Sequence, residues 1–201
     1  MRIGLLRHFP VEQRFPTGWS TAAELQVWRQ RYDASPAILG QADLGALHWS
    51  ECISSDLERA AATAKAVFPG TIEQTTLLRE PEFAPFQTGP LLLPVWLWRW
   101  ILRLAWMTGH KSQRASRDEF RRRVLAAADL LEGRSGDILV VSHAGMMAFL
   151  SAELRGRGFV GPKLRIAEHA RLYVYERPAA TRRASSPGGA NESISHSQTS
   201  R

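Results

Sequence analysis

Apolar and polar positions along the 201-residue chain follow two different periods. Four short unbroken apolar runs read as buried strands: Ile3-Gly4-Leu5-Leu6, Cys52-Ile53, Ile138-Leu139-Val140-Val141 and Leu172-Tyr173-Val174-Tyr175. Thr71 to Leu78 is a weaker fifth candidate. Between them, apolar residues recur at helical spacing behind start signals. Thr21-x-x-Glu24 precedes Leu25, Trp28 and Tyr32, and Ser55-x-x-Glu58 opens a helix with Leu57, Ala61, Ala64 and Phe68 on one side. Ser116-x-x-Glu119 precedes Phe120, Val124, Ala127 and Leu131, with Gly133 as the stop, and a fourth helix is expected from about 145 to 155, closed by Gly156. Strands alternating with helices predict an α/β fold, a three-layer αβα sandwich on a mostly parallel central sheet.

In such open sheets, ligands bind beyond the carboxyl ends of the strands. Three of those ends carry unusual polar residues: Arg7-His8 after the first strand, Ser54 to Arg59 after the second, and Ser142-His143 after the fourth. Polar groups this close to buried strands are either satisfied structurally or used. Three sets converging on one edge favour use.

Composition narrows the class. With 44% hydrophobic and 22% charged residues the chain is of ordinary globular character, and its single cysteine, Cys52, excludes an internal disulfide or a cysteine-based zinc cage. The formal charge is +7, and 23 of the 26 basic residues are arginine, whose planar fork suits phosphate and carboxylate. Pro178 to Arg201 has Ile194 as its one large apolar residue and reads as a flexible tail. The N-terminus runs straight into Arg7 and His8 with no targeting pattern, so a cytoplasmic location is expected. Leu91 to Met107 is the most apolar stretch, but Arg99 and Arg103 in its middle would each cost about 2.5–3.5 kcal/mol at a bilayer centre. The stretch therefore does not read as a span.

Arg7, His8, Arg59 and His143 together have a definite chemistry. Two guanidinium groups can hold a phosphoryl group, a neutral imidazole can attack phosphorus, and a second imidazole can stabilise charge on the transferring oxygens. The missing part is a carboxylic acid that protonates the leaving oxygen. At this point LLRHFP at 5–10, SSDLERAAATA at 54–64, LLRE at 77–80 and VVSHAGMM at 140–147 resemble the histidine phosphatase (phosphoglycerate mutase-like) superfamily, over about residues 1–176.

The resemblance implies roles residue by residue. His8 would be the phosphorylated nucleophile, Arg7, Arg59 and His143 would complete the phosphate pocket, and Glu80 would be the proton donor, with Glu82 as its rival. Arg-Phe-Pro-Thr-Gly-Trp at 14–19 resembles the family's substrate-side loop, so Trp19 is a candidate for substrate binding. No metal or cofactor is implied, and the partner would be a small phosphorylated metabolite. Two departures stand out. Phe9 occupies the position of the family's usual Gly, where Pro10 biases it to negative φ and its ring would narrow the pocket mouth. Pro81-Glu82-Phe83-Ala84-Pro85 replaces the usual continuation after the acid.

Other patterns are weaker. His48, His110, His169 and His196 have no supporting context and read as incidental, and Ala144 and Gly145 read as turn residues. Gly156 to Gly161 spells GxGxxG but follows a helix, so it fails as a dinucleotide motif. The basic residues are spread and accompany no nucleic-acid motif. By resemblance, the tryptophan-rich segment falls in an inserted helical cap at about 84–115, where an aromatic lining suits an apolar or ring-shaped leaving group. Its rival is an in-plane membrane contact through 91–107. The expected activity is metal-independent phosphomonoester hydrolysis through a phosphohistidine; the alternatives are a phosphomutase and a non-catalytic member that binds phosphate or membrane.

Overall fold

The structure, a computed structural model, describes residues 1–178. The elements run β1 (Arg2–Arg7), β2 (Trp19–Ser20), α1 (Ala22–Asp33), β3 (Glu51–Ser55), α2 (Glu58–Val67), β4 (Ile72–Thr75), β5 (Leu93–Pro94), α3 (Val95–Thr108), α4 (Arg114–Glu132), β6 (Ile138–Ser142), α5 (Ala144–Gly156) and β7 (Leu172–Glu176). A 3₁₀ turn at Thr76–Leu78 follows β4. Five strands form the central sheet in the order β4-β3-β6-β1-β7, parallel except for β7, and β2 and β5 pair separately.

The apolar runs of β1, β3 and β6 are buried because these inner strands are covered on both faces. Ile3, Leu5, Ile138 and Val140 pack with Phe120, Val124 and Leu131 of α4 and Met147 and Leu150 of α5. Their neighbours Leu6, Leu139 and Val141 point the other way, against Ala60 and Ala64 of α2 and Trp49. The period of two along each strand thus sorts one sequence into two cores, giving the three layers.

Two of the three helix starts differ from expectation. Thr21 caps α1 as predicted: its hydroxyl accepts from Glu24 N–H, and the Glu24 carboxylate accepts from Thr21 N–H at 2.7 Å. Ser55 instead remains in β3, and α2 begins at Glu58 without a side-chain cap. Ser116 lies inside α4, which starts two residues earlier; its hydroxyl donates to the Glu82 carbonyl. Ser55 and Ser116 fit the local pattern but are drawn into tertiary contacts, with His143 and the Glu82 carbonyl, in place of a cap. The tail expected from 178 onward falls, from 179, outside the described residues. Among the described residues no helix is long and apolar enough to cross a membrane.

Candidate active site

The three polar strand ends meet. Pairing of β1 with β6 continues past the strand, with His8 N–H donating to Ser142 O at 3.0 Å, which sets His8 beside His143 with ring centroids 5.0 Å apart. The loop after β1 is pinned by Thr63 of α2, whose hydroxyl accepts from Phe9 N–H at 3.0 Å and donates to Arg59 O at 2.7 Å. Phe9 is buried beside Gly40 rather than placed at a pocket mouth. The one non-glycine residue with positive φ among those described is Ala170, so Phe9 substitutes for glycine without that strain.

His8 is fixed in one tautomer. Its Nδ1–H donates to the Phe9 carbonyl at 2.6 Å, which leaves the lone pair on Nε2. Burial, supported by Arg59, His169 and Arg7, lowers its pKa to about 3 against the pull of the Phe9 carbonyl. The imidazole is neutral at any ordinary pH. His143 is likewise held well below the usual histidine value, by burial first and then by Arg59 and His8. Its Nε2 lies 2.9 Å from Ser55 Oγ, and Ser55 Oγ already accepts weakly from Leu57 N–H at 3.4 Å. In the tautomer in which Ser55 Oγ–H donates to Nε2, Nδ1–H of His143 is a donor toward the cluster.

Arg59 is 1% exposed, with Nη1 3.0 Å from Asp33 and its guanidinium 4.9 Å above the Tyr32 ring. Arg7 donates from Nη1 to Ala167 O at 2.7 Å. Arg7 Nε, Arg59 Nε and His143 Nδ1 are all buried and find no hydrogen-bond partner among the described residues. Two unpaired guanidinium donors and an unpartnered ring nitrogen beside a neutral imidazole have the chemistry of an anion site.

Glu80 follows the 3₁₀ turn, and its carboxylate accepts from Gly145 N–H at 3.0 Å at the start of α5. Burial raises its pKa above the ordinary glutamate value, while that bond and the cations Arg29, Arg59 and Arg7 oppose the rise. Ser142 steadies the approach by donating from Oγ to Leu78 O at 2.8 Å. Gly145 is no turn residue. It lies within α5, and a Cβ there would come 2.6 Å from Glu80 Oε1 and 2.9 Å from Pro81 Cδ. Glu82, by contrast, is exposed.

Trp19 is not brought to this cluster; it is exposed on β2, opposite Pro94. Sequence reasoning also passed over His169. Its Nδ1–H donates to His8 O at 2.9 Å, and its ring stands 5.1 Å from the His8 ring. The left-handed Ala170, whose N–H donates to Arg7 O at 3.0 Å, carries the chain into that position. No local motif announces His169. The usable signal is topological, because a strand antiparallel to β1 must enter from the edge where Arg7-His8 ends. Among the described residues, no three His, Cys, Asp or Glu side chains are placed to share a metal ion.

The sequence model of the histidine phosphatase superfamily (branch 1) matches residues 37–185. The chain belongs to that superfamily. The match begins beyond Arg7-His8, where Phe9-Pro10 departs from the usual pattern, yet β1 carries both residues into the same cluster as His143 and Arg59. Among solved structures, this histidine phosphatase superfamily member is similar to a protein assigned as an alpha-ribazole-5'-P phosphatase from Escherichia coli K-12. The two share 21% identity over 87% of this chain and 89% of that one, with a TM-score of 0.53. It is also similar to a phosphoglycerate mutase from Bacillus anthracis Sterne, at 17% identity over 89% and 92% of the two chains and a TM-score of 0.54. These likenesses establish the fold. Among curated proteins, none matches the chain.

Proposed function

We propose that the protein is a phosphomonoester hydrolase working through a phosphohistidine at His8. In the first step His8 Nε2 forms a bond to phosphorus as the bond from phosphorus to the ester oxygen breaks. Glu80 gives its proton to the departing oxygen. In the second step water attacks the phosphohistidine, Glu80 takes back a proton, and inorganic phosphate leaves with His8 neutral again. Arg7, Arg59 and His143 hold the transferring oxygens throughout.

The observation that carries this reading is the pairing of a free Nε2 lone pair on His8 with two buried guanidinium donors, of Arg7 and Arg59, that find no acceptor among the described residues. The raised pKa of Glu80 supports it as the acid over Glu82. The leaving group is read from a ladder of rings leading away from Arg59. Tyr32 and Trp28 lie 5.2 Å apart, Trp28 and Phe15 4.6 Å apart, and Arg99 caps Phe15 at 4.7 Å. The ladder ends at a cavity of about 280 Å³ between Phe15–Gly18 and the start of α3, which suits an apolar or ring-shaped alcohol portion.

Turnover of phosphorus-labelled p-nitrophenyl phosphate in EDTA, followed by quench in alkaline detergent and detection of phosphohistidine, tests the proposal. Wild type should turn over and trap label at position 8, and His8→Ala should do neither. Equal inactivity of both, or activity restored only by added metal, overturns it. Label transferred to an added alcohol faster than to water would turn the reading toward a mutase.

A further inference from the structure

Helix α3 presents the wrong face to water. Its inner side is packed: Val95, Trp98 and Trp106 are buried, Trp98 Nε1–H donates to Ser20 O at 2.7 Å, and Val95 N–H donates to Gly18 O at 2.9 Å. The helix is therefore anchored in one orientation. On its outer side Trp96, Trp100, Leu104 and Met107 are 63%, 67%, 63% and 64% exposed, interleaved with exposed Arg99 and Arg103. At 100° per residue these six cover about 140° of the circumference. Leu91 and Leu92, just before the helix, and Trp19, paired with Pro94 at its start, are exposed as well. Four large apolar side chains exposed on one face of a fixed helix mark a contact surface.

We propose that this outer face docks on an anionic lipid bilayer, with α3 lying in the plane of the headgroups. Charge selects the partner. From 83 to 117 the chain has five basic residues and no acidic one; Arg117 is partly buried against Asp118, so the exposed charge is that of Arg99, Arg103, Lys111 and Arg114. An anionic surface complements that stretch, and tryptophan and arginine are the side chains that favour headgroup depth. At 14 residues the helix is about 21 Å long, too short to span a hydrocarbon core of about 30 Å, so it lies flat. Two other occupants fit poorly. Residues 179–201 offer one large apolar residue, Ile194, and carry a net positive charge of their own. A second copy, related by a two-fold axis, would set one basic stretch against its equal.

The test involves no substrate, so it stands or falls apart from the phosphohistidine reading. The full chain is co-sedimented with vesicles of phosphatidylcholine alone and of phosphatidylcholine mixed equally with phosphatidylglycerol. Binding to the anionic vesicles should be at least about tenfold stronger and should weaken with salt. Lipids brominated on the acyl chain should quench the tryptophan emission of bound protein. Trp96→Ser, Trp100→Ser and Leu104→Ser combined should reduce anionic-vesicle binding at least about tenfold at an unchanged Tm. Absence of binding, binding without quenching, or undiminished binding by the folded triple variant overturns the proposal. So does a dimer in sedimentation velocity that those substitutions dissolve, which would assign the face to a second copy. If the triple variant does not fold, quenching of the unaltered chain decides the matter.

Discussion

At the scale of single residues, the cluster is a set of protonation states fixed by surroundings. His8 must be neutral to attack, and with a pKa of about 3 it loses activity only as the pH falls toward that value. Glu80 must be protonated to release the alcohol, so the rate falls as the pH rises through its raised pKa. The expected profile of kcat/KM is therefore a bell displaced to the acidic side. For an ester with a poor leaving group, Glu80→Gln should lower kcat about 10²–10⁴-fold. A leaving group needing no proton should recover most of that loss. A neutral-to-alkaline optimum in the unaltered protein would refute the assignment. Gly145→Ala tests the same carboxyl by space alone. The new Cβ displaces either Glu80 or Pro81, so kcat should fall by at least about tenfold with the phosphate affinity little changed, as measured by inhibition with inorganic phosphate. His8, His143, Arg7, Arg59 and Glu80 were legible because each sits in a local string whose chemistry can be stated. His169 was not, since it reaches His8 through chain reversal and a left-handed alanine that no periodicity records.

At the scale of elements, apolar runs and alternation predicted the sheet well, because burial on both faces leaves a continuous signal in sequence. Helix starts were less legible. Ser55 and Ser116 sit three residues before a glutamate, as Thr21 does, but one is held in β3 facing His143 and the other donates to the Glu82 carbonyl. The tertiary partner decided each case. Leu25, Trp28 and Tyr32 recur at helical spacing in α1, yet Ala22 is its one buried residue and the Trp28 and Tyr32 rings line the ladder beside Arg59. The cap at Thr21 thus has a second consequence. Thr21→Ala should cost about 1 kcal/mol in global stability, measured by urea unfolding. Fraying of α1 should also raise KM more than it lowers kcat, since Tyr32 and Asp33 at its far end hold Arg59.

At the scale of the whole molecule, the +7 charge separates into parts with different uses. Arg7 and Arg59 face the site, Arg157 is tied to Asp129, Glu132 and Glu153, and the acid-free stretch around α3 is left over. A surface of this sign should steer anionic substrates. The value of kcat/KM for a phosphate ester should fall as ionic strength rises through the range of about 0.01–0.15 M, with kcat nearly constant. Independence from salt would mean that the excess does not face the approach path. Composition announced the charge but not its sorting, which depends on which arginines find carboxylates in space.

Ser142 has a consequence that reaches beyond the site. Through its carbonyl it receives His8 N–H, and through its hydroxyl it holds the turn that delivers Glu80. Nucleophile and acid are thereby mounted on one bracket at the middle of the sheet, and they move together when the molecule breathes. Nothing in that bracket involves α3 or the loop before β2. The pairing of nucleophile and acid is therefore set apart from the outer segment, which reaches the cluster through Arg59 and the rings beside it. A change above the sheet would alter which alcohol is held before it altered how the bond is made.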